Sequence, residues 1–492
     1  MSQHPFVRSS SVLLLLASAA IAQITPGNLI VVRSGDGTAA LTNAATLMFL
    51  DQYDRVTAGQ AAPISTVSMP VTISGSATSE GFITQSVDGN YLCAVGYNTT
   101  TGTLTVANTA ATVVGRAIAR VALNGTIDAS TVLTDTYSGS ASTAGNIRSA
   151  STVDGSAFWT SGTGLATANR GVCYAVLGGT TAVQLSTAPT NVRVGGLANG
   201  QIYCSTSSSP FIGVSAVGTG LSTTAGQTTT LLAGFPGATA GSSQYDFWFA
   251  DAQTVYVADD RTNGNGGIQK WTESAGTWTL QYTLAVNATT GCRGVSGVRD
   301  LAGTHLYATT TQAAANLLVT CDDTGAGATF VTLATAPANT AFRGVRFVRQ
   351  PSSVTISGNP CPTTVGLPTV GTTGGAPISG NASFGLTVGN TPPFSIYITA
   401  ISINQFVNAG FPLSLIGGPG CALLYTPTLD ILLSGFTDGA GNGLTPLSLA
   451  PADASLWGLD LAIQHLILDT TTYGSFSLPF ATTEALQIEI GS

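Results

Sequence analysis

Charge is what this sequence has least of. Only 8% of its 492 residues are charged, and its 15 basic side chains include a single lysine, Lys270. Set against 23 acids they leave a formal net charge of -8. Nucleic-acid binding needs a cationic surface to neutralise phosphates, so the composition excludes that class of partner. Exposed helices carry charged outer faces, and there is little material here for them. Histidine is almost as scarce. Beyond His4 the chain has only His305 and His465, far apart, which leaves little for a zinc site or a Ser-His-acid triad. Both read as structural residues. No GxSxG elbow, complete GxGxxG, P-loop or CxxC pair occurs. Long apolar runs are missing too. The run Val12 to Ala20 falls short of the roughly 20 residues that span a bilayer, and later runs are broken by polar residues.

What is present is apolar and conformationally loose. Hydrophobic residues make up 44% of the chain, and 59 residues are glycine. That is enough apolar material for a sizeable core, so disorder is excluded. Ser, Thr, Gly, Val and Ala suit many short strands joined by tight turns. The length suits two or three domains, or one large β domain with a smaller one.

Residues 1-22 have the form of a signal peptide. His4 and Arg8 precede the apolar run, and Ala20-Ile21-Ala22 is a small-x-small cleavage pattern that makes Gln23 the new terminus. The expectation is a secreted or cell-surface protein without a membrane anchor. In an oxidising compartment cysteines pair by default. Cys361 and Cys421 are the only two in the C-terminal region and are expected to form a disulfide. Cys292 and Cys321 share one repeat and are the next candidate pair. With seven cysteines, at least one stays unpaired within the chain.

A repeat runs from about residue 80 to 350 at intervals of about 45 to 65 residues, the scale of propeller blades. Its clearest copies are SEGFITQSVDGNYLCAVGYN, NIRSASTVDGSAFWTSGTG and NVRVGGLANGQIYCSTSS. Weaker ones are YDFWFADAQTVYVADD and CRGVSGVRDLAGTHLYATTT, with a half-copy AFRGVRFVRQ. Asp88-Gly89 and Asp154-Gly155 are hairpin signals with positive φ expected at both positions. The half-copy lacks three strands. The N-terminus can supply them as Leu29-Arg33, Thr46-Leu50 and Ile64-Val71, which seals the sheet edge. The expected fold is therefore all-β: a six-bladed β-propeller over 23-355, with seven blades as the alternative count and a sandwich or solenoid as the alternative architecture. A Pro/Gly/Thr-rich linker over 356-380 and a C-terminal β-sandwich over 381-492 follow. Trp457-Asp469 is read either as strand or as amphipathic helix.

The stretches VVRSGDGTAALTNAATLMFLDQYD, SEGFITQSVDGNYLCAVGY, NIRSASTVDGSAFWTSG and VYVADDRTNGNGGIQKW resemble bacterial secreted β-propeller proteins of unassigned function. GAPISGNASFGLTV, IGGPGCALLY and LWGLDLAIQHLILD are similar to a β-rich module at the ends of many exported bacterial proteins. The resemblance implies the fold and an extracytoplasmic location. It carries no catalytic residues.

Four repeats start their innermost strand with an arginine: Arg148, Arg193, Arg293 and Arg343. Glu80 and Asp246 stand near the same place in the other two. Guanidinium forks suit carboxylate, phosphate or sulfate groups, so these six residues are a candidate ligand site at the channel mouth. A belt of ion pairs between blades is the competing reading. Asp259, Asp260 and Asn263 could donate oxygens to Ca²⁺, against a plain solvated loop. The Asp438-Asn442 turn is open to the same two readings. Phe158-Trp159, Phe247-Trp248-Phe249, Trp271 and Trp278 read as packing between blades, with a glycan platform as the minor alternative.

These features lead to a non-enzymatic exported propeller. It binds a protein, glycan or anionic small molecule at its channel face, and its C-terminal module serves for spacing, docking or sorting. The alternatives are a metal-assisted hydrolase or lyase using channel carboxylates, and a structural surface or matrix protein.

Overall fold

The computed structural model describes residues 22-492, except 240, 404-405, 414-420, 426-429 and 470-479. Nearly all of the expected signal peptide therefore lies outside the described residues. Within them the fold is all-β, with short 3₁₀ turns such as Val106–Asn108 and Ala454–Leu456. No helix there is long and apolar enough to cross a membrane.

Antiparallel sheets of four strands recur along residues 146-335. Their first strands are Asn146–Ser151, Gly195–Ala198, Gln244–Asp251 and Cys292–Asp300, each followed outward by the next three strands in order. A larger sheet contains two more groups of four. One runs from Ala341–Phe347 through Leu29–Ser34, Ala45–Tyr53 and Ser65–Ser74; the other starts at Thr84–Gln85 and continues through Tyr91–Tyr97. A single pairing, Thr72 with Tyr97, links the groups. Leu29–Ser34 lies between the end of the repeat region and the next N-terminal strand, with Leu29 opposite Phe347 and Ser34 opposite Ala341. Leu29, Ile30, Val31 and Val32 are all buried, because this strand is covered on both faces.

Successive groups of four hydrogen-bond to one another through residues in or next to their first and second strands. The Phe82 amide donates to the Arg148 carbonyl at 3.2 Å, and the Gly195 amide to the Ser149 hydroxyl at 2.8 Å. The Ser205 hydroxyl donates to the Tyr245 carbonyl, and the Val295 amide to the Asp246 carboxylate at 3.2 Å. The Thr309 hydroxyl donates to the Arg343 carbonyl, and the Gly344 amide to the Gly81 carbonyl at 2.9 Å. These contacts return from Ala341–Phe347 to residues 81-83.

At the Asp88-Gly89 and Asp154-Gly155 turns only the glycines take positive φ, +81° and +82°. The aspartates act by side chain instead: Asp154 Oδ1 accepts from the Ser156 amide at 2.9 Å, and Asp88 Oδ1 from the Asn90 amide at 3.0 Å.

In the C-terminal region a five-stranded sheet has the order Ser353–Ser357, Phe480–Glu489, Asp460–Leu468, Ile396–Ile403, Asp430–Phe436. A three-stranded sheet of Thr369–Thr373, Gly385–Gly389 and Gly443–Pro446 packs on it. Val370, Phe384 and Leu386 share one apolar cluster with Ile463, Leu486 and Ile488. The expected linker thus contains a strand, Thr369–Thr373, which its Pro/Gly/Thr-rich flanks concealed. Asp460–Leu468 is a strand, which removes the helix alternative for that stretch.

Cys361 and Cys421 form a disulfide with Cα atoms 5.0 Å apart. The expected Cys292–Cys321 pair does not form. Both are free and buried, with a whole strand between theirs, and Cys292 stands opposite Thr310 while Cys321 stands opposite Leu306. Strands two apart are about 9.5 Å distant, beyond the reach of a disulfide.

Candidate functional site

The four arginines assemble at one end of the first strands. Arg148 and Arg343 are buried, at 5% and 4% exposure. Arg148 donates through Nη1 to the Asn191 side chain and the Val192 carbonyl, both at 2.7 Å, and Arg343 through Nη2 to the Gly75 carbonyl at 2.8 Å. Arg193 lies over the Tyr245 ring at 4.5 Å from its centroid, and Arg293 over the same ring at 5.7 Å. The Tyr245 ring in turn meets that of Phe82 at 6.0 Å. Burial, and then the charge of Arg193, bring the Arg148 guanidinium down to about 10. Burial and Arg293 do the same to Arg343. The Nε groups of Arg148, Arg193 and Arg343 are buried without a hydrogen-bond partner. Arg293 alone pairs with a carboxylate, Asp260, at 3.3 Å.

Asp246 does not join this group, and Glu80 acts on Arg148 and Arg343 through its charge, without an ion-pair contact. Tyr245 and Arg343 receive equivalent hydroxyl bonds on their carbonyls, so Tyr245 occupies the fourth repeat's place and Asp246 is one residue past it. Gly81, which accepts from Gly344 as Arg148 accepts from Phe82, holds the place in the first repeat, and Glu80 is one residue before it. Asp246 lies in a strand, where a one-residue offset turns the side chain to the other face. Glu80 and Gly81 precede the strand Thr84–Gln85, and Gly81 takes φ +79°. The Glu80 carboxylate is enclosed by the Tyr97 hydroxyl at 2.5 Å, the Asn146 amide and the Ser74 amide at 3.1 Å. Burial raises its pKa against those bonds.

Asp246 belongs to a separate cavity of about 1060 Å³ at the other end of the same strands. None of the four arginines lines it. The Asp246 carboxylate is fully buried, accepts from the Phe247 and Val295 amides, and lies 3.9 Å from Arg346 Nη2. Burial pushes it up to about 6, with Arg346 pulling the other way. Arg346 also donates to the Ile83 carbonyl at 3.0 Å, and Arg349 to the Ser86 carbonyl at 2.7 Å. Phe247, Trp248 and Phe249 form part of the wall. Trp248 lies against Gly297, where an added Cβ would come within 2.5 Å of its ring, so glycine is required there for the approach. Residues 378-381, 451-452, Trp457 and Ser492 line the side formed by the C-terminal region. The sequence singled out neither Arg346 nor Arg349; the three-residue spacing Arg343, Arg346, Arg349 was its only signal.

The Ca²⁺ candidates are occupied otherwise. Asp259 accepts from Arg261 Nε at 2.8 Å and Gln269 at 3.0 Å, Asp260 meets Arg293, and Asn263 accepts from Asn265 at 3.3 Å. Asp438 Oδ1 caps its own turn through the Ala440 and Asn442 amides, both at 2.9 Å. No group of three or more His, Cys, Asp or Glu side chains suited to a metal occurs among the described residues. His305 sits between Asp322 at 2.6 Å and Asp300 at 3.2 Å, while His465 is buried and bonded to Thr399 at 2.9 Å. The aromatics pack: Trp271 stacks on Phe235 at 4.2 Å, Trp278 meets Phe249 edge-on at 5.9 Å, and Trp159 lies 5.4 Å from Tyr174.

No protein-family model matches the chain, and no curated protein matches it. Among solved structures it is similar to TolB from Acinetobacter baumannii, at 11% identity over 65% of this chain and 67% of that one, with a TM-score of 0.40. It is also similar to the extracellular domain of the hybrid two component system BT4673 from B. thetaiotaomicron, at 10% identity and TM-score 0.35 over 95% of this chain and 59% of that one. A third is apo AztD from Citrobacter koseri, at 9% identity and TM-score 0.28 over 94% and 97%. Likenesses this distant carry no functional argument.

Proposed function

We propose that the protein is an exported six-bladed β-propeller with a C-terminal β-sandwich, and that it binds an anion at the arginine end of its channel. Support for the blade count comes from six groups of four strands that hydrogen-bond to one another in a closed circuit. Leu29–Ser34 provides the clasp.

One observation carries the binding reading: four guanidiniums gather with a single carboxylate partner among them, and three buried Nε donors have no acceptor. A donor buried without an acceptor costs about 1–3 kcal/mol, and like charges in contact add to that. A carboxylate, phosphate or sulfate group would supply acceptors in the geometry that guanidinium forks favour. An ion-pair belt would need carboxylates in contact with the arginines, whereas Glu80 is hydrogen-bonded to Tyr97, Asn146 and Ser74 and acts on Arg148 and Arg343 only through its charge. The metal-assisted alternative requires further acids beside Glu80 or Asp246, and each of these has polar or cationic neighbours instead.

The test is thermal unfolding at low ionic strength with and without sulfate, phosphate or citrate. A ligand at 100 times its Kd adds about 2.7 kcal/mol. The stabilisation is expected in the wild type and absent in Arg148→Met and Arg343→Met. Equal stabilisation of those variants would remove this site.

A further inference from the structure

The cavity at the opposite end combines two kinds of surface. Its lining carries Asp246, Arg346 and Arg349, and also Arg299, Asp251 and Asp300, of which Arg299 pairs with Asp251 at 2.5 Å and Asp300 with His305 at 3.2 Å. The Asp246 carboxylate is committed to two main-chain amides and Arg346, and Arg349 makes no ion-pair contact, with only the charge of Asp88 acting against that of Arg346. Burial lowers both arginines, and the charge of Arg346 lowers Arg349 further. The walls above are apolar: Leu197, Phe247 and Phe249 on the repeat side, and Ile378, Pro451 and Trp457 on the C-terminal side. At about 1060 Å³ the space has room for a small organic molecule. Trp457 is held by Phe347 at 5.8 Å, and Gln350 donates to Glu489 at 2.6 Å, so the C-terminal wall is anchored along one side.

We propose that this cavity is a second ligand site, for an organic acid with a mainly apolar body. The body lies against Phe247, Leu197 and Trp457, and the single acidic group meets Arg346 and Arg349. This goes beyond the anion site, since an inorganic anion would leave the apolar walls unused, and it does not depend on that site being real. Ring and acid would be recognised together, by burial of apolar area and by charge-assisted hydrogen bonds.

The probe is 8-anilinonaphthalene-1-sulfonate, an aromatic body with one sulfonate, compared with its neutral analogue N-phenyl-1-naphthylamine. Fluorescence titration of the full mature chain should show one saturable sulfonate site that binds about tenfold more tightly than the neutral analogue. Ala198→Trp and Ala452→Trp fill the cavity from its two sides, and each should weaken binding by about tenfold or more while the melting temperature is kept. Arg349→Met should abolish the preference for the sulfonate, and Val113→Ser, at an exposed position outside the cavity lining, should leave the titration unchanged. Binding unaffected by either tryptophan, an equal affinity for the neutral analogue, or no saturable binding would each overturn the proposal.

Discussion

A guanidinium withdrawn from water keeps its charge only if acceptors or an opposite charge replace its hydration. Arg148 and Arg343 have main-chain and amide acceptors for part of the fork, and Arg193 has an aromatic face, but none of the three has a carboxylate. Asp246 presents the reverse case. Its folded pKa of about 6 lies above the unfolded carboxylate value near 4. Between those values the folded chain retains a proton that the unfolded chain has released. The contribution of this group to stability therefore falls as pH rises through about 4 to 6 and is level above that. His465, pushed down to about 4 by burial, imposes the opposite slope over an overlapping window, so the informative quantity is the difference between wild type and Asp246→Asn. The variant should gain on the order of 1–3 kcal/mol at pH 8 and little at pH 4, as read by denaturant unfolding at both pH values. An equal change at both would show that Asp246 titrates normally. The buried thiols offer another check. Cys93, Cys173, Cys204, Cys292 and Cys321 are free, and burial pushes the first four up to about 12 and Cys321 to about 11. A thiol reagent should modify none of the five in the folded protein and all five after unfolding without reductant. Only three after unfolding would restore a second disulfide.

At the level of strands, Leu29–Ser34 is the clasp, since it joins residues more than 300 positions away. Val31 is fully buried between Val345 and Asp51, so Val31→Asp would place a charge opposite an apolar residue on one side and another acid on the other. A loss of several kcal/mol is expected, seen as a lower midpoint in urea. A loss below about 0.5 kcal/mol, the size of a surface substitution, would mean that the clasp is not packed as described. This pairing was legible in the sequence, because the half-copy AFRGVRFVRQ lacks three strands and the N-terminus has three to spare. The arginine cluster was legible for the same reason, since a repeat returns equivalent positions to one place. Asp246 was misjudged because a one-residue offset reverses the face of its strand, and Glu80 because the repeat alignment set it two residues from the arginine position when it lies one residue away, ahead of the strand. Tyr245, the ring on which Arg193 and Arg293 meet, carried no signal as a non-arginine in an arginine column. Beyond the three-residue spacing of Arg343, Arg346 and Arg349, the cavity was illegible. Arg346, Phe247 and Trp457 share no repeat position, and they meet only because the C-terminal sheets settle against the end of the repeat region.

For the molecule as a whole, the two ends of the central strands differ in chemistry. One gathers positive charge around Tyr245 and Phe82, and the other is a roomier, mostly apolar space against the C-terminal region. The first follows from what each repeat contributes at one position, the second from how two differently built parts meet. The central claim is that the arginine end holds an anion. Anomalous diffraction from crystals grown at low ionic strength and soaked in selenate, a sulfate analogue, tests it most directly. The account predicts a peak among Arg148, Arg193, Arg293 and Arg343 that is lost in Arg148→Met. Selenate bound only elsewhere on the molecule, with no density between those four side chains, would contradict it.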